Sequence, residues 1–241
     1  MIPLADLIQD LRALRTLPRV TICLRASETD GNDPFYERMV MRFYKEATSR
    51  HPRLFLIRNM QYGVALFSIP EKPDDYFGLI DGSARRNIKK AQRMGYSFSR
   101  IDYNSNRAQI AAIIRSTPVR QGAMPVHLMT GEVPSISDPP SKSKTHDYVY
   151  VGITKENELR AYAGCMVSGE LFAISDIYGH HEFQPDGIVP MMIYEIVKYA
   201  RTEYPGVRYC MYDKYFGAST TLRRFKKKFC FLPHRVEWRL D

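Results

Sequence analysis

YVYVGIT at Tyr148–Thr154, LRAYAGCMV at Leu159–Val167 and LFAISDIY at Leu171–Tyr178 are three apolar runs separated only by KENE and SGE. Such links are too short for a crossover, so the runs predict three antiparallel strands in sequence. Downstream, apolar spacing predicts a helix over Val189–Tyr204, a strand over Val207–Tyr212, a basic helix over Ser219–Phe229 and a closing strand over Arg235–Leu240. Upstream lie a strand at Tyr96–Ile101 and a helix at Arg107–Arg115. Thr117–Thr145 is an irregular stretch rich in Pro, Ser, Gly and Lys, of a length expected of a lid or a partly disordered segment. The order β α β β β α β α β over residues 96–241 predicts an α/β (α+β) domain, with a mixed central sheet flanked by helices.

Before this core, Ser83-Ala-Arg-Arg-Asn-Ile-Lys-Lys-Ala-Gln-Arg-Met-Gly95 reads as a helix. Ser83 is placed to cap it, Gly95 to end it, and Ala84, Ile88 and Ala91 form its apolar stripe. The rest of its surface carries Arg85, Arg86, Lys89, Lys90 and Arg93 with no acid among them. Residues 1–82 are expected to form a small N-terminal unit, and 83–241 the main domain. Within the first, apolar spacing at Leu4, Leu7, Ile8, Leu11 and Leu14 predicts a helix. Strands follow at Val20–Leu24, Leu54–Arg58 and Gly63–Ile69, with a helix at Pro34–Thr48 and a loop or helical turn through EKPDDYFGLIDG.

Charge narrows the partners. Thirty-five Lys and Arg against 26 Asp and Glu leave the 241-residue chain at +9, which favours nucleic acid, phosphate-bearing ligands or an acidic lipid surface. A basic surface without a specific target is the plainer reading. Asp6, Asp10, Arg12 and Arg15 break the N-terminal apolar run, so no signal peptide is expected, and no run reaches the ~20 apolar residues of a membrane span. The four cysteines stand apart and the histidines form no zinc spacing. These features predict no metal and a reducing, cytoplasmic setting.

Two stretches carry a resemblance. One is Ser83–Ala91 through Gly95. The other runs from Pro190-Met-Met-Ile-Tyr-Glu-Ile196 to Ala200, then Leu222-Arg-Arg-Phe-Lys226 and Phe229-Cys-Phe-Leu-Pro233. Both are similar to the Fem family of peptidoglycan bridge-forming aminoacyltransferases, within the acyl-CoA N-acyltransferase (GNAT) superfamily. The match covers about a quarter of the chain. It implies a GNAT-like domain over 83–241, opened by the basic helix, with 1–82 as a shortened, partial GNAT-like unit. Cys230 stands where the family usually has Gly.

GNAT enzymes that use acyl-CoA offer a Gly-rich loop whose backbone N–H groups hold the pyrophosphate at a helix N-terminus. Here the interval reads GHHEFQPDGIVPMM, with Gly187 alone near the helix start, Pro190 lacking a donor, and Glu182 and Asp186 adding negative charge. Lys226 occupies the Phe-Lys position of the Fem motif, and the resemblance implies a part in the transfer step; the plainer alternative is a solvated basic helix face. Acyl transfer to an amine needs a base and an oxyanion donor. Asp176 is the candidate base or amine anchor. It shares a strand face with Tyr178, while Ser175 and Ile177 are expected on the other. Tyr212 and Tyr215 fall near the expected meeting point of donor and acceptor. Phe225, Ser175, Arg120 and Gln121 complete the candidate substrate contacts. Arg223, Arg224 and Lys227 join the basic residues of 83–94 as candidate RNA or phosphate contacts.

The leading expectation is a transferase moving an aminoacyl group from aminoacyl-tRNA, as co-substrate with no tightly bound cofactor, to an amine of a small molecule or peptide. The alternatives are an acetyl-CoA-dependent N-acetyltransferase and a non-catalytic module binding RNA or another polyanion.

Overall fold

The computed structural model describes residues 14, 16–29, 34–52, 56–120 and 122–241. In chain order its elements are β1 (Arg19–Cys23), α1 (Pro34–Thr48), β2 (Tyr62–Ser68), α2 (Asp75–Leu79), α3 (Gly82–Arg93), β3 (Ser97–Arg100), α4 (Arg107–Arg115), α5 (Val126–Thr130), β4 (His146–Lys155), β5 (Glu158–Ser168), β6 (Leu171–Gly179), α6 (Ile188–Glu203), β7 (Tyr209–Lys214), α7 (Thr220–Lys228) and β8 (Leu232–Arg239). The strands form one eight-stranded sheet in the order β1-β8-β2-β7-β6-β5-β4-β3. The predicted meander is β4–β5–β6, antiparallel throughout. α6 then carries the chain over one face and returns it as β7, parallel to β6.

The sheet crosses the expected boundary at residue 82. β2 lies between β7 and β8 and is antiparallel to both, and β1 runs parallel to β8 at the edge. The N-terminal segment therefore completes the main sheet. β2 even serves both cores: Ala65 and Phe67 point to one face, Val64 and Leu66 to the other, as a period of two requires.

One face carries the large core, where α2, α3 and α6 cover Val149, Val151, Ala163, Cys165, Phe172 and Ile174. On the opposite face α1 covers Ile22, Leu66, Ala173 and Trp238, and α4 contributes Ile110, Ile113 and Ile114 beside Leu159 and Tyr162. Ala84, Ile88 and Ala91 are the buried stripe of α3, as their spacing requires.

Three local expectations need correction. Asp81, not Ser83, caps α3: its carboxylate accepts from the Ser83 backbone N–H at 2.8 Å and from the Ser83 hydroxyl at 2.5 Å. A carboxylate two residues earlier captures the Ser83 N–H, one of the helix's orphan donors, and also favours the positive end of the helix dipole. The expected strand at Leu54–Arg58 is absent over residues 56–58, where Arg58 makes only an isolated bridge to Arg50. The rest of it, and the expected helix over Leu4–Leu14 apart from residue 14, lie outside the described residues. Among the described residues no helix is long and apolar enough to cross a membrane.

Candidate functional site

β6 and β7 are paired only from Leu171↔Tyr209 to Ala173↔Met211. Beyond that both strands are irregular. On β6, Asp176 faces Gly164 while Ile174 faces Cys165, so Ser175 is an inserted residue. On β7, Tyr212 and Asp213 together oppose Ala65, and Asp213 takes a left-handed φ of 53°. Each bulge bends its strand, and the parallel pair opens into a V. The V is a cleft of about 420 Å3, lined by residues including Ile174–Tyr178, Tyr212, Asp213, Leu222, Lys226, Arg120 and Met124.

Lys226 enters from α7, whose N-terminus Ser219 caps by accepting from the Leu222 N–H. Its side chain is wholly buried, with 0% exposure. Nζ donates to the Lys214 carbonyl at 2.6 Å and sits 4.9 Å from the centre of the Tyr212 ring. Among the described residues it makes no ion pair. Burial pulls its pKa down to about 8, opposed by the nearby Asp213 charge. An ammonium so held is easily deprotonated, unlike one on a solvated helix face.

The bulge also corrects the assignment of faces on β6. Asp176 and Tyr178 do share a face, but Ser175 does not join Ile177. Ile177 packs on the large core, whereas Ser175 is exposed at the bulge and close enough to Tyr148 to influence its hydroxyl. Asp176 is exposed to the cleft, and desolvation by the protein beside it raises its carboxyl above the usual range. Around it stand Tyr148, Tyr162, Tyr178 and Tyr103, each feeling its charge. Gly164, directly across the ladder, leaves space for the Tyr148 and Tyr150 rings: a Cβ there would meet the Tyr148 hydroxyl at 3.0 Å. Sequence reading did not single out Tyr103, Tyr148, Tyr150 or Asp138. The available signal was the alternation Tyr148-Val-Tyr150 on β4, the far strand of the meander that ends in the Asp176 strand, with β5 between them.

Arg120 lines the cleft as a strut. Its guanidinium donates to the Gly179 carbonyl at 2.9 Å and the Ile113 carbonyl at 2.6 Å, and lies 5.3 Å from the Tyr178 ring centre. It ties the end of α4 to the end of β6, and its Nε is buried without a partner among the described residues. Gln121 lies outside the described residues. Phe225 and Tyr215 are not part of the cleft wall: Phe225 packs on Phe229 with centroids 5.0 Å apart, and Tyr215 lies beside Phe216 and under Arg223.

The two basic helices meet end to end, the Asp81 N–H donating to the Lys228 carbonyl at 2.9 Å. Arg86, Lys89 and Arg93 line a second concavity of about 330 Å3 on α3, and Arg224 and Lys227 are exposed on α7. Lys90 is engaged by the Pro185 carbonyl at 2.8 Å and Asp186 at 3.5 Å. Arg85 reaches the Gly78 carbonyl at 3.3 Å, and Arg223 the Ala218 carbonyl at 3.0 Å.

The N-terminus of α6, where a pyrophosphate would rest in an acyl-CoA enzyme, is covered. Gly187, at φ 88°, abuts α3 so closely that a Cβ would come 2.3 Å from the Asn87 carbonyl oxygen. Gly187 and Ile188 are buried. Asp186 stands beside them, accepting from the Tyr96 hydroxyl at 2.8 Å.

No protein-family model and no curated protein sequence matches the chain. Among solved structures it is similar to FemX, with a TM-score of 0.55 at 12% identity over 71% of this chain and 59% of the FemX chain. It is also similar to the C-terminal domain of a putative lysylphosphatidylglycerol synthetase from Agrobacterium fabrum, with a TM-score of 0.47 at 14% identity over 71% of this chain and 57% of that one. The chain thus spans less than two thirds of the length of either. The likeness to FemX shows the fold alone: the chain folds as that part of FemX does.

Proposed function

We propose that the chain is an acyltransferase that takes an aminoacyl group from aminoacyl-tRNA and joins it to an amine in the cleft between β6 and β7. The observation that carries this reading is Lys226, a buried ammonium with no ion-pair partner among the described residues, at the mouth of a parallel strand pair, with Asp176 on the other side of the same cleft. The acceptor ammonium gives a proton to the Asp176 carboxylate, whose raised pKa makes it a competent base. The freed amine attacks the ester carbonyl. The Lys226 ammonium stabilises the resulting oxyanion and gives its proton to the departing ribose oxygen as the ester bond breaks. The neutral Lys226 amine then takes up the second proton that the attacking nitrogen still carries. The products are an amide and a ribose hydroxyl.

Three features favour a tRNA donor over acyl-CoA. The N-terminus of α6 is closed by α3. Asp186 opposes a phosphate there. The exposed cations of α3 and α7 suit a polyphosphate backbone. The Fem-like motifs around Lys226 point the same way. Calorimetry of the full chain with deacylated tRNA and with acetyl-CoA, at low and moderate salt, tests the reading. Salt-sensitive tRNA binding without a CoA signal is the expected result; saturable CoA binding without tRNA affinity would overturn it. Should Asp176→Asn and Lys226→Ala leave tRNA binding intact and no transfer be found in the parent protein, a binding module is the better description.

A further inference from the structure

We propose that the acceptor is a linear organic dication, a diamine or a molecule ending in two amines, with its reacting amine at Asp176 and its second ammonium at Asp138. This rests on the acyl-transfer reading of the cleft and names the substrate class it serves.

The two carboxylates are joined through a group of tyrosines. The Tyr148 hydroxyl lies against Gly164, which faces Asp176 across the ladder, and the Tyr148 ring lies 5.2 Å from Tyr150. The Tyr150 hydroxyl donates to Asp138 at 3.2 Å, and the Tyr103 ring lies 4.6 Å from Tyr150. Asp176 and Asp138 both act on Tyr103 and on Tyr148. Electron-rich ring faces between two carboxylates complement an ammonium at each end and an apolar chain between.

Asp138 is held in place by its neighbours. The Asn104 side chain makes two bonds to the Ile136 backbone, at 2.9 and 3.0 Å. Tyr36 donates to the Pro139 carbonyl at 2.5 Å, and Arg107 to the Val133 carbonyl at 2.8 Å. The stretch expected to be a lid or partly disordered is thus tethered on both sides of the carboxylate it delivers.

Charge makes the arrangement selective. In a chain of net charge +9, neither Asp176 nor Asp138 has an ion-pair partner among the described residues. The cations that influence this tyrosine group, Arg107 and Arg120, donate to backbone carbonyls instead. A basic protein repels free cations at long range, so selective uptake of a dication requires a local site. A monoamine would gain nothing from the Asp138 carboxylate, which is how the site would distinguish the two.

The test is calorimetric titration of the full chain, without donor, using linear diamines of increasing length and the matching monoamines at constant ionic strength. One or two diamine lengths are expected to bind about tenfold or more tightly than their monoamines. Asp138→Asn should abolish that preference and Asp138→Glu should keep part of it. Equal affinity for diamines and monoamines, or a preference untouched by Asp138→Asn, would overturn the proposal. Because no donor is present, diamine selectivity without any aminoacyl transfer would remove the transfer reading while leaving the dication site standing.

Discussion

Replacing Lys226 by Met should make the protein more stable and much less active. Lys226 is fully buried, and its pKa falls from the ordinary 10.5 to about 8. A drop of about 2.5 units corresponds to roughly 3 kcal/mol of disfavoured charge at neutral pH, since each unit is about 1.4 kcal/mol. Met has similar length and flexibility and carries no charge to bury. Losing the Nζ donation to the Lys214 carbonyl gives back about 1 kcal/mol, so the net gain is about 2 kcal/mol. The sign with pH is specific. Because the folded pKa is depressed, the unfolded chain binds the extra proton between about 8 and 10.5, and the wild type gains stability as pH rises through that window. The advantage of the Met variant should therefore be full below about pH 8 and vanish by about 10.5. Urea denaturation of both proteins at a series of pH values measures it. Transfer should fall by about 10²–10³, the usual loss of an oxyanion donor. A variant clearly less stable than wild type at neutral pH would refute the reasoning, because Lys226 would then be a net structural contact.

With saturating acceptor, kcat should rise as Asp176 deprotonates above the usual carboxylate range and fall as Lys226 loses its proton near 8; Lys226→Arg should remove the falling limb in a stopped-assay pH series. Gly187→Ala should cost about 2 kcal/mol or more by urea denaturation, since the new Cβ meets the Asn87 backbone at 2.3 Å and φ is 88°; an unchanged midpoint would mean that α3 does not press on α6. Replacing Arg86, Lys89 and Arg93 together by Ala should weaken tRNA binding and lower the slope of log Kd against log salt by about 2, while a slope equal to wild type would place the RNA elsewhere.

Much of the fold could be read from local pattern because local pattern caused it. The alternations of β4–β6 and the stripe Ala84, Ile88, Ala91 are periodicities that hold whatever the chain packs against. The insertion of β2 between β7 and β8 was not readable: it joins Phe67 to Cys210 and Ala65 to Pro233, partners chosen by long-range packing. Within the site, Lys226 was singled out by the motif around it and Asp176 by its strand. The bulge at Ser175 has no sequence signature, since one inserted residue leaves the apolar pattern of LFAISDIY nearly unchanged. Phe225 and Tyr215 were placed by nearness in sequence, but the helical turn and the Gly63 contact send both away from the cleft. Asp138 lay in a stretch with no periodicity, where only tertiary contacts fix the backbone.

The central claim is aminoacyl transfer in the cleft between β6 and β7. The most direct measurement is a single-turnover assay with tRNAs charged with labelled amino acids and a panel of amines, comparing wild type with Lys226→Met and Asp176→Asn. The account predicts a labelled amide with at least one charged tRNA, lost in both variants while each remains folded. Labelled product from acetyl-CoA instead, or transfer that persists in both variants, would contradict it.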